Sequence, residues 1–119
     1  MRITRFKQWI SEAERGLDQT LRDDTEALKQ QVNSGIAELW CIDGHSWMIS
    51  RVEHYGDKKE LVICCYQGKD LLAIGKEIID AAKAQGLSSI RFHTQREGLN
   101  RLLKPFGFRY LETVYHKVL

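Results

Sequence analysis

Leu61-Val62-Ile63-Cys64-Cys65-Tyr66 runs directly into Gln67-Gly68-Lys69-Asp70 and then Leu71-Leu72-Ala73-Ile74. The change of pattern across these residues decides the fold. The first six form a nearly continuous apolar run, which suits a central strand covered on both faces. From Asp70 the apolar residues recur as Leu71, Ile74, Ile78 and Ala82, with Leu72 and Ile79 alongside. That is the stripe of an amphipathic helix, and Gly86 closes it. Ser88 to His93 then alternates as a strand. Strand, helix and strand in this order make a β-α-β crossover.

On the N-terminal side the period is two. Ala37 to Ile42 and Ser46 to Val52 flank Asp43-Gly44, a dipeptide that accepts the positive φ angles of a tight hairpin. Gly56-Asp57-Lys58-Lys59 marks a second turn. Further back, Asp23-Asp24-Thr25 offers capping oxygens for a helix carrying Leu28 and Val32, and Gly35 is its stop. Phe6, Ile10, Ala13, Leu17 and Leu21, with Trp9 beside them, recur at helical steps and read as one apolar stripe. Met1 to Arg5 reads as a short first strand. Past the crossover, a short helix through Leu99, Leu102 and Leu103 ends near Lys104-Pro105. Phe108 to Leu119 supplies one or two terminal strands. The expected fold class is a mixed α/β (α+β) domain: N-terminal helices, a β-hairpin meander, the crossover and C-terminal strands.

The chain of 119 residues fits a single domain over residues 1–119. With 43% hydrophobic and 29% charged residues it can bury a core, which separates it from disordered chains. A net charge of +2, with basic residues spread along the chain, gives no concentrated patch of the kind nucleic-acid binders show. Apolar runs fall short of the roughly 20 residues of a membrane span. Lys7, Glu12, Glu14 and Arg15 interrupt any signal-peptide pattern. Cys41, Cys64 and Cys65 are expected to be reduced thiols of a cytoplasmic protein. As neighbours on a strand, Cys64 and Cys65 are expected to point to opposite faces, which makes them poor disulfide or metal partners. The histidines at 45, 54, 93 and 116 lack metal-ligand spacing. No Gly-x-Ser-x-Gly or P-loop pattern is present.

From about Ala37 onward, and most strongly over Leu61 to Phe108, the order of elements resembles the GNAT (GCN5-related) N-acetyltransferase superfamily. The likeness rests on the central strand, the Gln67-Gly68-Lys69 turn, the long helix to Gly86, the Ser88–His93 strand and the Lys104-Pro105-Phe106-Gly107-Phe108 ending. In that family the loop after the central strand reads Arg/Gln-x-x-Gly-x-Gly/Ala, and its amides with the helix N-terminus hold the pyrophosphate of acyl-CoA. The resemblance therefore implies acetyl-CoA or another acyl-CoA as cofactor, held by Cys65, Gln67, Gly68, Lys69, Asp70, Leu71 and Leu72. With Gln67 at the first loop position, Asp70 and Leu72 stand where the family carries small residues. A shifted register would use Gly75 instead. Leu102-Leu103 stands where family members often carry the tyrosine that protonates the leaving thiolate.

Acyl transfer from a thioester to an amine needs a path for the amine's proton and a donor for the developing oxyanion. Glu60 is the general-base candidate by its position in the resembling fold. His93 ends the next strand, beside the region where a cofactor would splay the sheet. Tyr66 ends the central strand within reach of a ligand. Each also has a plain structural explanation: a strand-end charge, a hydrogen-bonded histidine, a packed aromatic. Two functions remain open. One is an N-acyltransferase acting on an amine of a small molecule or protein. The other is a catalytically silent GNAT-like binding or structural protein, resembling the short accessory proteins of tailed bacteriophages. A homodimer or a protein partner is compatible with either, because terminal strands can pair through an exposed edge.

Overall fold

Asp43 and Gly44 adopt φ values of 54° and 76° and turn the chain back on itself between two strands. The computed structural model describes residues 1–94 and 97–119. In chain order they form β1 (Ile3–Phe6), α1 (Ser11–Gly16), α2 (Thr25–Ser34), β2 (Glu38–Ile42), β3 (Ser46–Tyr55), β4 (Lys58–Gln67), α3 (Leu71–Ala84), β5 (Ser89–Phe92) and α4 (Glu97–Leu103). A 3-10 turn, Lys104–Phe106, follows α4. The sheet order is β1-β2-β3-β4-β5, antiparallel except for the parallel β4–β5 pair across the α3 crossover. This is the expected mixed α/β architecture with its meander and crossover.

Alternation along the strands builds one core on each face of the sheet. Beneath α1 and α2 lie Leu39, Cys41, Trp47, Ile49 and Cys65, packed with Ala13, Leu17, Leu28 and Val32. Beneath α3 and α4 lie Ile42, Met48, Ile63 and Tyr66, packed with Leu71, Ile74, Leu99 and Leu103. Helix α1 ends against the indole of Trp47. A Cβ on Gly16 would lie 2.2 Å from Trp47 Cδ1, so only glycine permits this approach.

Four sequence expectations change in the folded chain. The stripe from Phe6 to Leu21 is not one helix. Phe6 pairs with Leu39 in the β1–β2 ladder, α1 spans only Ser11–Gly16, and Leu21 lies beyond it in turns whose amides return to Leu17 O. Ladder bonding and burial against β2 outweigh the helical period there. The second turn is shorter than expected, because Lys58 and Lys59 already belong to β4, opposite Tyr55 and His54.

The third change concerns the cysteines. Ile49 pairs with Cys65 while Ser50 pairs with Ile63, so Cys64 is an extra residue, a β-bulge in β4. The bulge cancels one alternation, and both thiols pack against the core beneath α1 and α2. The fourth is at the C-terminus. Residues 108–119 form no strand, and beyond Phe108 every side chain is exposed. Nothing in this segment pairs with β5, and a strand without a neighbour leaves its backbone groups unsatisfied.

Candidate active site

β4 runs on to Gln67, but its pairing with β5 ends at Ile63–Phe92, with His93 N donating to Ile63 O as the last link at 3.0 Å. β5 itself ends at Phe92. The last four residues of β4, Cys64 to Gln67, therefore have no β5 partner. They lead straight into the turn that starts α3.

That turn is tied down from the neighbouring strand β3. Ser46, fully buried at the start of β3, accepts the Lys69 amide proton at 3.1 Å and donates to Lys69 O at 3.3 Å. Tyr66 Oη also donates to Lys69 O, at 2.8 Å, and His45 Nδ1 lies 2.9 Å from Ser46 Oγ. Gly68 is pressed against this serine, where a Cβ would lie 2.2 Å from Ser46 Oγ. Gln67 is engaged in turn: its Nε2 donates to Asp18 Oδ1 at 3.0 Å, and its Oε1 accepts Gln19 N–H at 2.8 Å.

Asp70 is the residue before α3, in the left-handed region at φ 59°. Its carboxylate makes no cap hydrogen bond but adds negative charge at the positive end of the helix dipole. Leu71 is buried in the core, and Leu72 is 53% exposed. α3 begins at Leu71, and Gly75 lies within the helix, where a Cβ would come 2.9 Å from the Phe106 ring. Beside the last β4–β5 pair, Ile63, Leu71, Phe92, Leu103, Phe106 and Phe108 line an apolar void of about 10 Å³. That is room for one water at most.

The proton-transfer candidates are not brought together. Glu60 sits at the start of β4 on the face beneath α1 and α2, opposite Ser89. Its Oε2 accepts from Ser89 Oγ at 2.8 Å, and its Oε1 forms an ion pair with Arg91 Nη2 at 2.9 Å. The Oε1 contact is ionic and carries no hydrogen bond, while the same Nη2 donates to Tyr55 Oη at 2.9 Å. Tyr66 points to the opposite face, buried beside Phe92 at 6.4 Å between ring centroids. Burial pushes its phenol up, against the hydrogen bond with Ser46. His93, at the far end of β5 from Glu60, is exposed.

Around Glu60 a polar ladder crosses three strands. Tyr55 Oη donates to Glu53 Oε2 at 2.7 Å, and Arg51 Nε donates to Glu53 Oε1 at 3.2 Å. The Tyr55 hydrogen bond holds the Glu53 carboxyl below its usual range. Arg51 Nη1 also reaches Gln31 Oε1 at 3.4 Å and Cys64 Sγ at 3.5 Å. Burial nonetheless raises the Cys64 thiol, and it pushes Cys65 up to about 12. Both are thiols near neutral pH, which leaves them poor nucleophiles.

Sequence reasoning alone did not single out Ser46, Arg51, Glu53 or Arg91. The available signal was a polar residue on an otherwise apolar strand, such as Arg91 between Ile90 and Phe92. Among the described residues no group of three or more His, Cys, Asp or Glu side chains could hold a metal ion, and no helix is long and apolar enough to cross a membrane.

A mostly antiparallel five-stranded sheet, whose one parallel pair is joined by a helical crossover, defines a mixed α/β fold. Solved structures share it along their whole length. A ribosomal-protein-alanine N-acetyltransferase from Brucella melitensis biovar Abortus 2308 superposes with a TM-score of 0.72 at 12% identity, covering 100% of both chains. A transcriptional regulator from Bacillus halodurans C-125 gives 0.65 at 13%, covering 99% of this chain and 100% of that one. An aminoglycoside N-acetyltransferase in complex with CoA gives 0.63 at 15%, with the same coverage. The chain has the GNAT fold. No family model matches the sequence, and no curated protein matches it.

Proposed function

We propose that the protein is a GNAT-like N-acyltransferase, moving an acetyl or other acyl group from acyl-CoA to an amine of a small molecule or protein. The observation that carries this reading is the end of the β4–β5 pairing at Ile63–Phe92, which leaves Cys64 to Gln67 without a β5 partner directly before the turn into α3. The solved neighbours with acetyltransferase names support it at the level of fold.

The donor set at the turn fits an acyl-CoA diphosphate in part. Gly68 and Lys69 are exposed at the start of α3, offering a cation beside the first-turn amides. The Lys69 amide is already spent on Ser46, and the Asp70 carboxylate shares the same helix start. When bound, acyl-CoA supplies the activated thioester. His93, exposed just past the last β4–β5 pair, is the side chain best situated to take the amine's proton. Glu60 instead serves the sheet, because its carboxylate is committed to Arg91 and Ser89.

A second reading has its own observation. The Ser46–Lys69 pair and Asp70 favour a catalytically silent GNAT-fold module, of the binding or structural kind known among phage accessory proteins. Calorimetry with acetyl-CoA separates the two. Binding with amine-dependent release of CoA supports the enzyme, and no heat at millimolar ligand supports the silent module.

A further inference from the structure

We infer that His45, acting through Ser46, is a positioning residue for the turn before α3: its charged ring fixes the Lys69 carbonyl and so aims the Asp70 amide at an anion on the turn. The identity of that anion, a diphosphate, rests on the acyl-CoA reading above. The Ser46 hydroxyl has one proton and three polar neighbours. Lys69 N–H donates to it at 3.1 Å, Lys69 O lies at 3.3 Å, and His45 Nδ1 lies at 2.9 Å. A neutral ring can leave Nδ1 bare, and Nδ1 is then the nearer acceptor for the hydroxyl proton. Lys69 O keeps only Tyr66 Oη in that state, at 2.8 Å. A charged ring carries hydrogen on both nitrogens, so Nδ1 must donate to Ser46. The hydroxyl proton then goes to Lys69 O, and both backbone groups of Lys69 are held.

A trans peptide sets its C=O and N–H on opposite sides. With Lys69 O turned in toward Ser46 and Tyr66, the Asp70 N–H turns out, on the exposed side of the turn. There it joins the first-turn amides of α3 in facing one anion. Asp70 sits at φ 59°, a conformation few non-glycine residues adopt, and both bonds to Lys69 O restrain the peptide that leads into it. The charged and titratable groups near His45 are Asp43 of its own hairpin, whose carboxylate accepts Arg2 N–H, and Arg2 ahead of β1. Across Ser46 they are Tyr66, Lys69 and Asp70. The two carboxylates favour the charged ring, and Arg2 and Lys69 oppose it. A bound phosphate adds to the favourable side, so the ligand and the His45 proton assist each other.

NMR of the ligand-free full chain between about pH 5.5 and pH 8 is expected to show the Lys69 and Asp70 amides titrating together with the His45 ring. Ser46→Ala is expected to keep the ring titration and remove the amide response. His45→Gln, at an exposed position, removes the same response and serves alone if Ser46→Ala does not fold. In calorimetry, acetyl-CoA is expected to gain about two- to fivefold more affinity between about pH 8 and pH 6 in the wild type than in His45→Gln. Glutamine can still donate to Ser46 but carries no charge, and the ligand's own titration is common to both forms. Amides that ignore the ring overturn the inference, as does a pH dependence that survives His45→Gln. If acetyl-CoA binds neither form, the acyl-CoA reading falls, and the amide signals of the free chain decide the positioning role by themselves.

Discussion

The hydroxyl of Ser46 holds the backbone amide of Lys69 at 3.1 Å, across 23 positions of sequence. The contact joins the first residue of β3 to the turn before α3, and so fixes the part of the molecule where a ligand would meet the helix start. Ser46→Ala leaves the Lys69 amide and carbonyl without this partner in a partly buried site. A loss of about 1–3 kcal/mol is expected, to be read from denaturant midpoints. An unchanged midpoint would show that water replaces the hydroxyl at no cost.

Gly16→Ala tests the approach of α1 to the sheet. The added methyl meets Trp47 Cδ1 at 2.2 Å, so either the indole or the helix must move. Overpacking of this kind costs about 1–3 kcal/mol. The expected signature is a lowered thermal midpoint with shifted tryptophan emission. By contrast, Gly98→Ala meets nothing within 4 Å and is expected to leave the emission unchanged.

The thiols of β4 set an alkaline limit. Cys65 is raised by burial from 9.0 to about 12, and Cys64 is raised for the same reason. Between those pH values the unfolded chain releases protons that the folded chain keeps, so stability is full below pH 9 and falls as pH rises toward 12. Cys65→Ala is expected to flatten this decline in urea titrations across the alkaline range. Alkylation at neutral pH should modify Cys64 ahead of the buried Cys65.

For the proposed reaction, His93→Ala is expected to lower kcat/KM by about 10²-fold or more. Glu60→Gln is expected to leave kcat/KM within about threefold and to lower the thermal midpoint instead, because Arg91 loses its counter-ion. Steady-state assays with acetyl-CoA and a panel of amines read both. The reverse ranking would return Glu60 to the role its strand position suggested.

Most of the fold was legible because its signals are local. Asp43-Gly44 marks its hairpin by backbone conformation. Leu71, Ile74, Ile78 and Ala82 mark α3 by period, and the apolar run of β4 marks a strand covered on both faces. The site was legible only as a segment. Gln67, Gly68, Lys69 and Asp70 could be found by their order, but not the partners that occupy them, because Asp18, Gln19 and Ser46 come from distant positions.

The opening stretch thus divides cleanly. By itself the sequence determined that Leu61–Tyr66 is a strand and that a helix follows from Asp70 until Gly86 closes it, since periodicity and turn chemistry act over a few residues. Tertiary structure alone decided that Phe6 joins a ladder rather than a helix, and that a bulge turns Cys64 and Cys65 to the same face. It also decided that Glu60 is bound to Arg91, and that the Lys69 amide is spent on Ser46. Each of these depends on which strand lies beside which, and that pairing is fixed only when both cores close around the sheet.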